Sequence, residues 1–179
     1  FIEVGYRPYQ PVPYSHELHV GQLGMDCRYC HVSVETSQEA NIPPTATCMN
    51  CHSIVKPNSE KLQLVRDSYE TGKPIEWVRV HKLPEYAYFN HSVHIRAGVG
   101  CVSCHGNVAE MGEHGVQVVE PLSMSWCLSC HRNPEPHLRP MDQITNLTWE
   151  KPADHAQMAA QIIKDKNLKP PQDCSACHR

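Results

Sequence analysis

Ten cysteines and thirteen histidines set the chemistry open to this 179-residue chain. Every cysteine falls in one pattern: Cys27-Arg-Tyr-Cys30-His31, Cys48-Met-Asn-Cys51-His52, Cys101-Val-Ser-Cys104-His105, Cys127-Leu-Ser-Cys130-His131 and Cys174-Ser-Ala-Cys177-His178. Two thiols at this spacing can add to the two vinyl groups of one haem while the adjacent imidazole reaches its iron. Cysteine pairs also form half-sites for zinc, disulfide frameworks and thioredoxin-like redox motifs, but none of these needs His after the second Cys. At the chain's His frequency, five such coincidences have a chance of roughly two in a million against the haem-attachment spacing. Five pairs also leave a remainder when grouped into two-pair zinc sites. The sequence therefore predicts five covalently bound haem c groups, with His31, His52, His105, His131 and His178 as proximal ligands. All ten thiols are then thioethers, and none remains for a disulfide.

Eight histidines are left to complete five irons: His16, His19, His81, His91, His94, His114, His137 and His155. Tyr14-Ser15-His16-Glu17-Leu18-His19 precedes the first motif, and Phe89-Asn90-His91-Ser92-Val93-His94 precedes the third. Both read aromatic-x-His-x-x-His, and imidazoles at i and i+3 share one face of a helical turn. They are too constrained to clasp one iron from both sides but can serve two neighbouring haems. His16, His19, His91 and His94 are therefore expected as distal ligands. His81 is the first choice for the fifth, with Met124 and Met111 as thioether alternatives that would raise that haem's potential. Met also fills gaps against aromatics. His114, His137 and His155 are expected in solvent or near propionates.

The elements that position these groups are sparse. Motif starts at 27, 48, 101, 127 and 174 give two pairs and a single, and the repeated histidine unit points to a duplicated two-haem module. The expected organisation is an N-terminal arm and first module over 1–57, a helical linker over 58–88, a second module over 89–140, and a helix with the fifth motif over 141–179. Residues 59–70 read as a helix, with Ser59 as cap, Leu62, Val65 and Tyr69 as its apolar stripe, and Gly72 as terminator. Residues 154–167 read as another, capped by Asp154, with a stripe of Ala156, Ala159, Ile162 and Ile163. Prolines punctuate the rest, and three of them (Pro8, Pro11 and Pro13) make an extended arm. Strand-like alternation is limited to 75–80. The expected class is a small haem-organised multihaem cytochrome c of mainly short helices and irregular loops, with little or no sheet.

Composition supports an interior made by cofactors. Leu, Ile, Val and Phe together number 36, Pro and Gly 24, and mean hydropathy is -0.48. That is near the apolar content below which chains fail to build a core. The net charge of -3 and scattered Lys and Arg give no nucleic-acid footprint. No stretch approaches the length of a membrane span, and the first residues do not read as a signal peptide. The chain begins at Phe1 rather than Met, so this says nothing of a leader or anchor ahead of it. Covalent haem attachment implies an extracytoplasmic compartment.

A chain of this length has a radius of gyration of roughly 16 Å. Five macrocycles in that volume bring neighbouring edges within about 10 Å of one another. Electrons can tunnel over such gaps, so the chain is expected to act as a wire, and reduction of an already acidic holoprotein is expected to be coupled to proton uptake. Substrate reduction would need an open iron or a changed proximal ligand, and all five motifs end in His. No catalysis is expected in this chain itself.

The two-haem modules resemble those of the small multihaem c7 and c3 cytochromes. The chain as a whole is similar to the pentahaem cytochrome subunits of bacterial alternative complex III, a quinol-oxidising membrane assembly. The resemblance runs through residues 14–19, Met25-Asp26-Cys27-Arg28-Tyr29-Cys30-His31, Ile42-Pro43-Pro44-Thr45, Phe89-Asn90-His91, Cys104-His105-Gly106-Asn107-Val108 and Met124-Ser125-Trp126-Cys127. It implies passage of electrons to a cytochrome c or another periplasmic acceptor, with iron-sulfur and polytopic quinol-oxidising membrane subunits as partners. It also implies a place on the periplasmic face of the inner membrane, held there by an N-terminal transmembrane helix or by neighbouring subunits. The other readings are a stand-alone periplasmic carrier, for which the arm with Tyr6, Tyr9 and Tyr14 is long unless it is a disordered tail, and a multihaem reductase with an open haem site.

Overall fold

In the computed structural model, which describes residues 3–178, each cysteine pair lies on or at the start of a short helix. A π-helical turn at Glu17–Gln22 leads to α1 (Cys27–Cys30), then α2 (Thr45–His52). A 3-10 turn at Glu60–Leu62 runs into α3 (Gln63–Thr71). The second half holds α4 (His91–Ala97), α5 (Val102–His105), α6 (Met124–Arg132), α7 (His155–Asp165) and α8 (Cys174–Cys177), with 3-10 turns at Val108–Glu110, Glu135–His137 and Met141–Gln143. Among the described residues there is no sheet, and pairing is limited to isolated bridges at Ala87–His178 and Val99–Leu138.

Local chemistry accounts for the short helices. Asp26, Ser123 and Asp173 cap α1, α6 and α8, each side chain accepting a backbone N–H of the first turn. The helix expected over 59–70 forms as a 3-10 turn followed by α3 and ends on left-handed Gly72, but Ser59 makes no side-chain cap. Its buried positions are Val65 and Ser68, and Tyr69 is exposed. The Ser68 hydroxyl donates to the Lys73 carbonyl at 2.5 Å, which explains why a polar residue takes the inner place. The second expected helix forms as α7, with Ala159 buried and no side-chain cap from Asp154. Residues 75–80 are not part of a strand.

The arm is fastened to the body. The Gly5 N–H donates to the Val118 carbonyl at 2.7 Å and the Val118 N–H to the Tyr6 carbonyl at 3.0 Å. The Gln10 amide bonds both backbone groups of Val78, at 2.8 and 2.9 Å. The two halves also meet directly: the N–H groups of His91 and Ser92 donate to the Gln38 and Ser37 carbonyls, each at 3.1 Å. The π-helical turn packs on the Val108–Glu110 turn. Gly21 permits this approach, because a Cβ there would stand 2.6 Å from the Ala109 carbonyl oxygen.

The side-chain core is small. Its buried apolar residues are Val12, Val65, Val80, Ile95, Met111, Val118, Leu138, Ile144 and Ala159. The polypeptide presents 11492 Å² of accessible surface. A self-packed chain of this mass presents about 8,800 Å². An excess of that size fits a chain built to fold around large flat groups.

Candidate haem sites

A cysteine, a second cysteine three residues on, and the following histidine form one helical turn, so both thiols lie on one face. No cysteine is in a disulfide. The ring nitrogens then decide what each imidazole can do. Nδ1 donates to a backbone carbonyl in His31 (Asn41, 2.6 Å), His52 (Val55, 2.9 Å), His131 (Pro171, 2.6 Å) and His178 (Tyr86, 3.4 Å). It does so as well in His19 (Ser15, 2.8 Å), His91 (Gln38, 2.8 Å) and His94 (Asn90, 2.8 Å). A hydrogen bond from Nδ1 to a carbonyl fixes the tautomer and leaves Nε2 as a lone-pair donor, the usual arrangement of a metal-bound histidine. His155 is the reverse case, since its Nε2 is bonded to the Leu138 carbonyl at 3.0 Å.

Imidazoles bound on opposite sides of one metal, through nitrogens about 2.0 Å away, have ring centroids about 6 Å apart. Three pairs stand at that separation: His19 and His52 at 6.1 Å, His91 and His105 at 6.3 Å, and His94 and His131 at 6.1 Å. The fourth histidine of the repeated units, His16, has its buried Nδ1 unpartnered. Burial lowers its pKa to about 4, helped by neighbouring His31 and His19. Burial followed by His81 and His91 pushes His105 down to about 3. Burial likewise lowers His94 and His81. These imidazoles are held neutral, the form that binds metal.

One aromatic ring orients each histidine pair. Tyr14 stacks on His19 with centroids at 4.5 Å and meets His16 edge-on at 4.8 Å. Phe89 stacks on His94 at 4.4 Å and meets His91 edge-on at 4.8 Å. The repeated aromatic is visible in the sequence; the fold makes it a wedge between two histidine rings.

His81 lies edge-on to His105 at 4.5 Å, too close for the two to be opposite ligands of one metal, and its buried Nε2 has no partner. Among the described residues, the ring against His178 is that of Tyr86, at 5.6 Å. Met124 is 66% exposed at the start of α6, whereas Met111 is buried, with its carbonyl accepting the Glu17 N–H at 3.0 Å. His114 is exposed, and burial lowers His137.

Cysteines of different motifs are neighbours. Burial raises the Cys30 thiol, with Cys48 and Cys27 adding to the effect. Interaction with its neighbour lowers the Cys27 thiol and raises the Cys101 thiol. Cys104 is pushed up to about 12 by burial, then by Cys130 and Cys127. Burial and then Cys177 raise Cys127. Hydrogen bonds tie segments of different motifs together: the Asn50 amide donates to the Tyr29 hydroxyl at 3.2 Å, the Thr145 hydroxyl to Asp26 at 3.0 Å, the Cys101 N–H to the Ile144 carbonyl at 3.1 Å and His131 Nδ1 to the Pro171 carbonyl at 2.6 Å.

Paired thiols on helical turns, imidazoles held neutral, and ring pairs at metal-spanning separation fit covalently bound haem c and define a multihaem c-type cytochrome. Residues 87–179 match the family described as cytochrome c7 and related cytochrome c. The chain is also 30% identical over 148 residues to the menaquinone reductase, multiheme cytochrome c subunit of Nitratidesulfovibrio vulgaris, covering 72% of this chain and 70% of that protein. This chain belongs to the cytochrome c7 and related cytochrome c family, and its work is electron transfer.

Proposed function

We propose that the chain carries five haems as a one-electron wire within a membrane complex of the alternative complex III type, on the periplasmic face of the inner membrane. The observation that carries this reading is the three imidazole pairs at metal-spanning separation, His19 with His52, His91 with His105 and His94 with His131, each joining a histidine of a repeated unit to a motif histidine; the motif order proposed for the wire is 48–52, 27–31, 101–105, 127–131 and 174–178. Haem supplies the ferric–ferrous couple. The chain's residues do the rest: the ten cysteines tether, the five motif histidines bind from one side, and His16, His19, His91 and His94 close the other. His16 serves the motif of His31, His19 that of His52, His91 that of His105 and His94 that of His131. For the iron of His178 the sequence candidates are His81, which packs on His105, and Met124, which is exposed at the start of α6; the ring next to His178 is that of Tyr86. The fastened arm, the two modules over 1–57 and 89–140, the linker over 58–88 and the final unit over 141–179 are the proposed divisions.

The resemblance to alternative complex III gives a direction from quinol, through iron-sulfur and polytopic subunits, to a cytochrome c-type acceptor. The printed name of the relative favours a second reading, with electrons flowing the other way to reduce menaquinone. Mild detergent extraction followed by size measurement tests the assembly. A large complex that reduces added cytochrome c from menaquinol supports the first direction. A large complex that instead reduces menaquinone from a periplasmic donor supports the second. A free monomer of the chain's own mass in the soluble fraction contradicts both.

A further inference from the structure

Arg139 is a buried charge that the haem-binding account leaves unused. It is 7% exposed, its Nη1 donates to the Asn146 carbonyl at 2.9 Å and the Gln143 carbonyl at 3.4 Å, and its buried Nε has no partner. Its guanidinium carbon stands 4.7 Å from the centroid of the Trp149 ring. It also packs on Gly100, where any Cβ would collide with it, and Gly100 precedes Cys101. The Cys101 N–H in turn donates to the Ile144 carbonyl at 3.1 Å, in the loop that Arg139 organises. From the same loop the Thr145 hydroxyl donates to Asp26, the residue before Cys27, at 3.0 Å, so the guanidinium lies where the segments around Cys27 and Cys101 meet.

Among the described residues, no carboxylate is within ion-pair distance of Arg139. Asp26, beside Cys27, is already held by Arg28 at 2.8 and 2.9 Å and by the Thr145 hydroxyl at 3.0 Å. Burial lowers the affinity of Arg139 for its proton, but a guanidinium stays charged in proteins. A positive charge in a poorly screened setting favours the iron state with one charge fewer.

We propose that Arg139 is a positioning charge that raises the reduction potentials of the two haems attached through Cys27 and Cys101, making the junction of the modules an electron-attracting step in the wire. This rests on the proposed haem array.

The test uses the full haem-loaded chain, with the potential of each haem followed by NMR- or EPR-monitored redox titration. Arg139→Gln is expected to shift two of the five transitions downward, each reduced-to-oxidised ratio at fixed poise falling about tenfold, or about 59 mV for a one-electron couple. Arg139→Lys is expected to restore both. Five unmoved transitions, or five that move together, overturn the proposal. If Arg139→Gln yields no holoprotein, the unaltered protein decides: the 101–105 haem titrating above the 48–52 haem supports it, and the reverse order overturns it. Haem content is measured first by mass. Fewer than five haems on the unaltered chain counts against the proposed function, whereas unmoved potentials on a five-haem chain count against Arg139 alone.

Discussion

The two histidine units reach almost the same ring geometry on different backbones. Around Tyr14 the rings stand at 4.5 and 4.8 Å, around Phe89 at 4.4 and 4.8 Å, yet the first unit is a π-helical turn and the second an α-helix. In both, the residue before the first histidine accepts Nδ1 of the second, from Ser15 to His19 and from Asn90 to His94. They differ at the first histidine: His91 is braced on the Gln38 carbonyl of the other module, while Nδ1 of His16 has no partner. The ring arrangement is therefore what the two units share. The second unit is additionally fastened to the segment at Ser37 and Gln38.

Removing a ligand has the largest expected effect. His19→Ala and His94→Ala should each convert about one fifth of the low-spin ferric haem signal to high spin in the EPR spectrum. An unchanged spectrum would remove these histidines from the ligand set. The asymmetry between the units predicts the next effect. His91→Ala should cost about 1 kcal/mol more than His16→Ala, because only the former loses the bond to Gln38. Thermal melting followed at the haem absorption band should show that difference as about 2–4 °C.

The wedges give a matched pair of tests. Phe89→Leu and Tyr14→Leu should each cost about 1 kcal/mol and alter the EPR signals of two haems, since each ring touches two histidines. A change confined to one haem would show that the wedge serves only its stacked partner. Smaller still is the cap. Asn90 Oδ1 accepts the Val93 N–H at 3.4 Å, so Asn90→Ala should lower stability by about 1 kcal/mol.

What could be read from the residues was what repeats. Cysteine spacing marked which pairs fall on helical turns, the paired histidine units marked which rings gather around one aromatic, and a shortage of Leu, Ile and Phe foretold the small core. What could not be read depends on backbone groups far away in sequence. The carbonyls of Gln38 and Pro171 reach His91 and His131 only after folding, and any residue supplies a carbonyl. Arg139 carried no periodic signal, since it is buried by packing on Gly100 and beside the half-buried Trp149 in a loop. Ser68 rather than Tyr69 takes the inner face of α3 because its hydroxyl bonds the Lys73 carbonyl just past the helix end, a local capping contact that the apolar pattern does not encode.

The smallest expected effect concerns acid at the module junction. Hydrogen bonds from Arg28 hold Asp26 down at about 2, below the usual carboxylate range. A depressed folded pKa contributes stability that is present above about pH 3.9 and lost as pH falls toward 2. The pair is well exposed, so the contribution is under about 1 kcal/mol. Asp26→Asn should flatten the stability profile between pH 4 and 2, measured by melting at constant ionic strength, and an unaltered profile would assign the acid response elsewhere.

An experimental density map of the haem-loaded protein, with iron positions and axial atoms resolved, tests the central claim most directly. Five irons should follow the motif order 48–52, 27–31, 101–105, 127–131, 174–178, with His16, His19, His91 and His94 opposite His31, His52, His105 and His131. Both histidines of one unit on a single iron, or a 101–105 haem remote from the 27–31 haem, would contradict it.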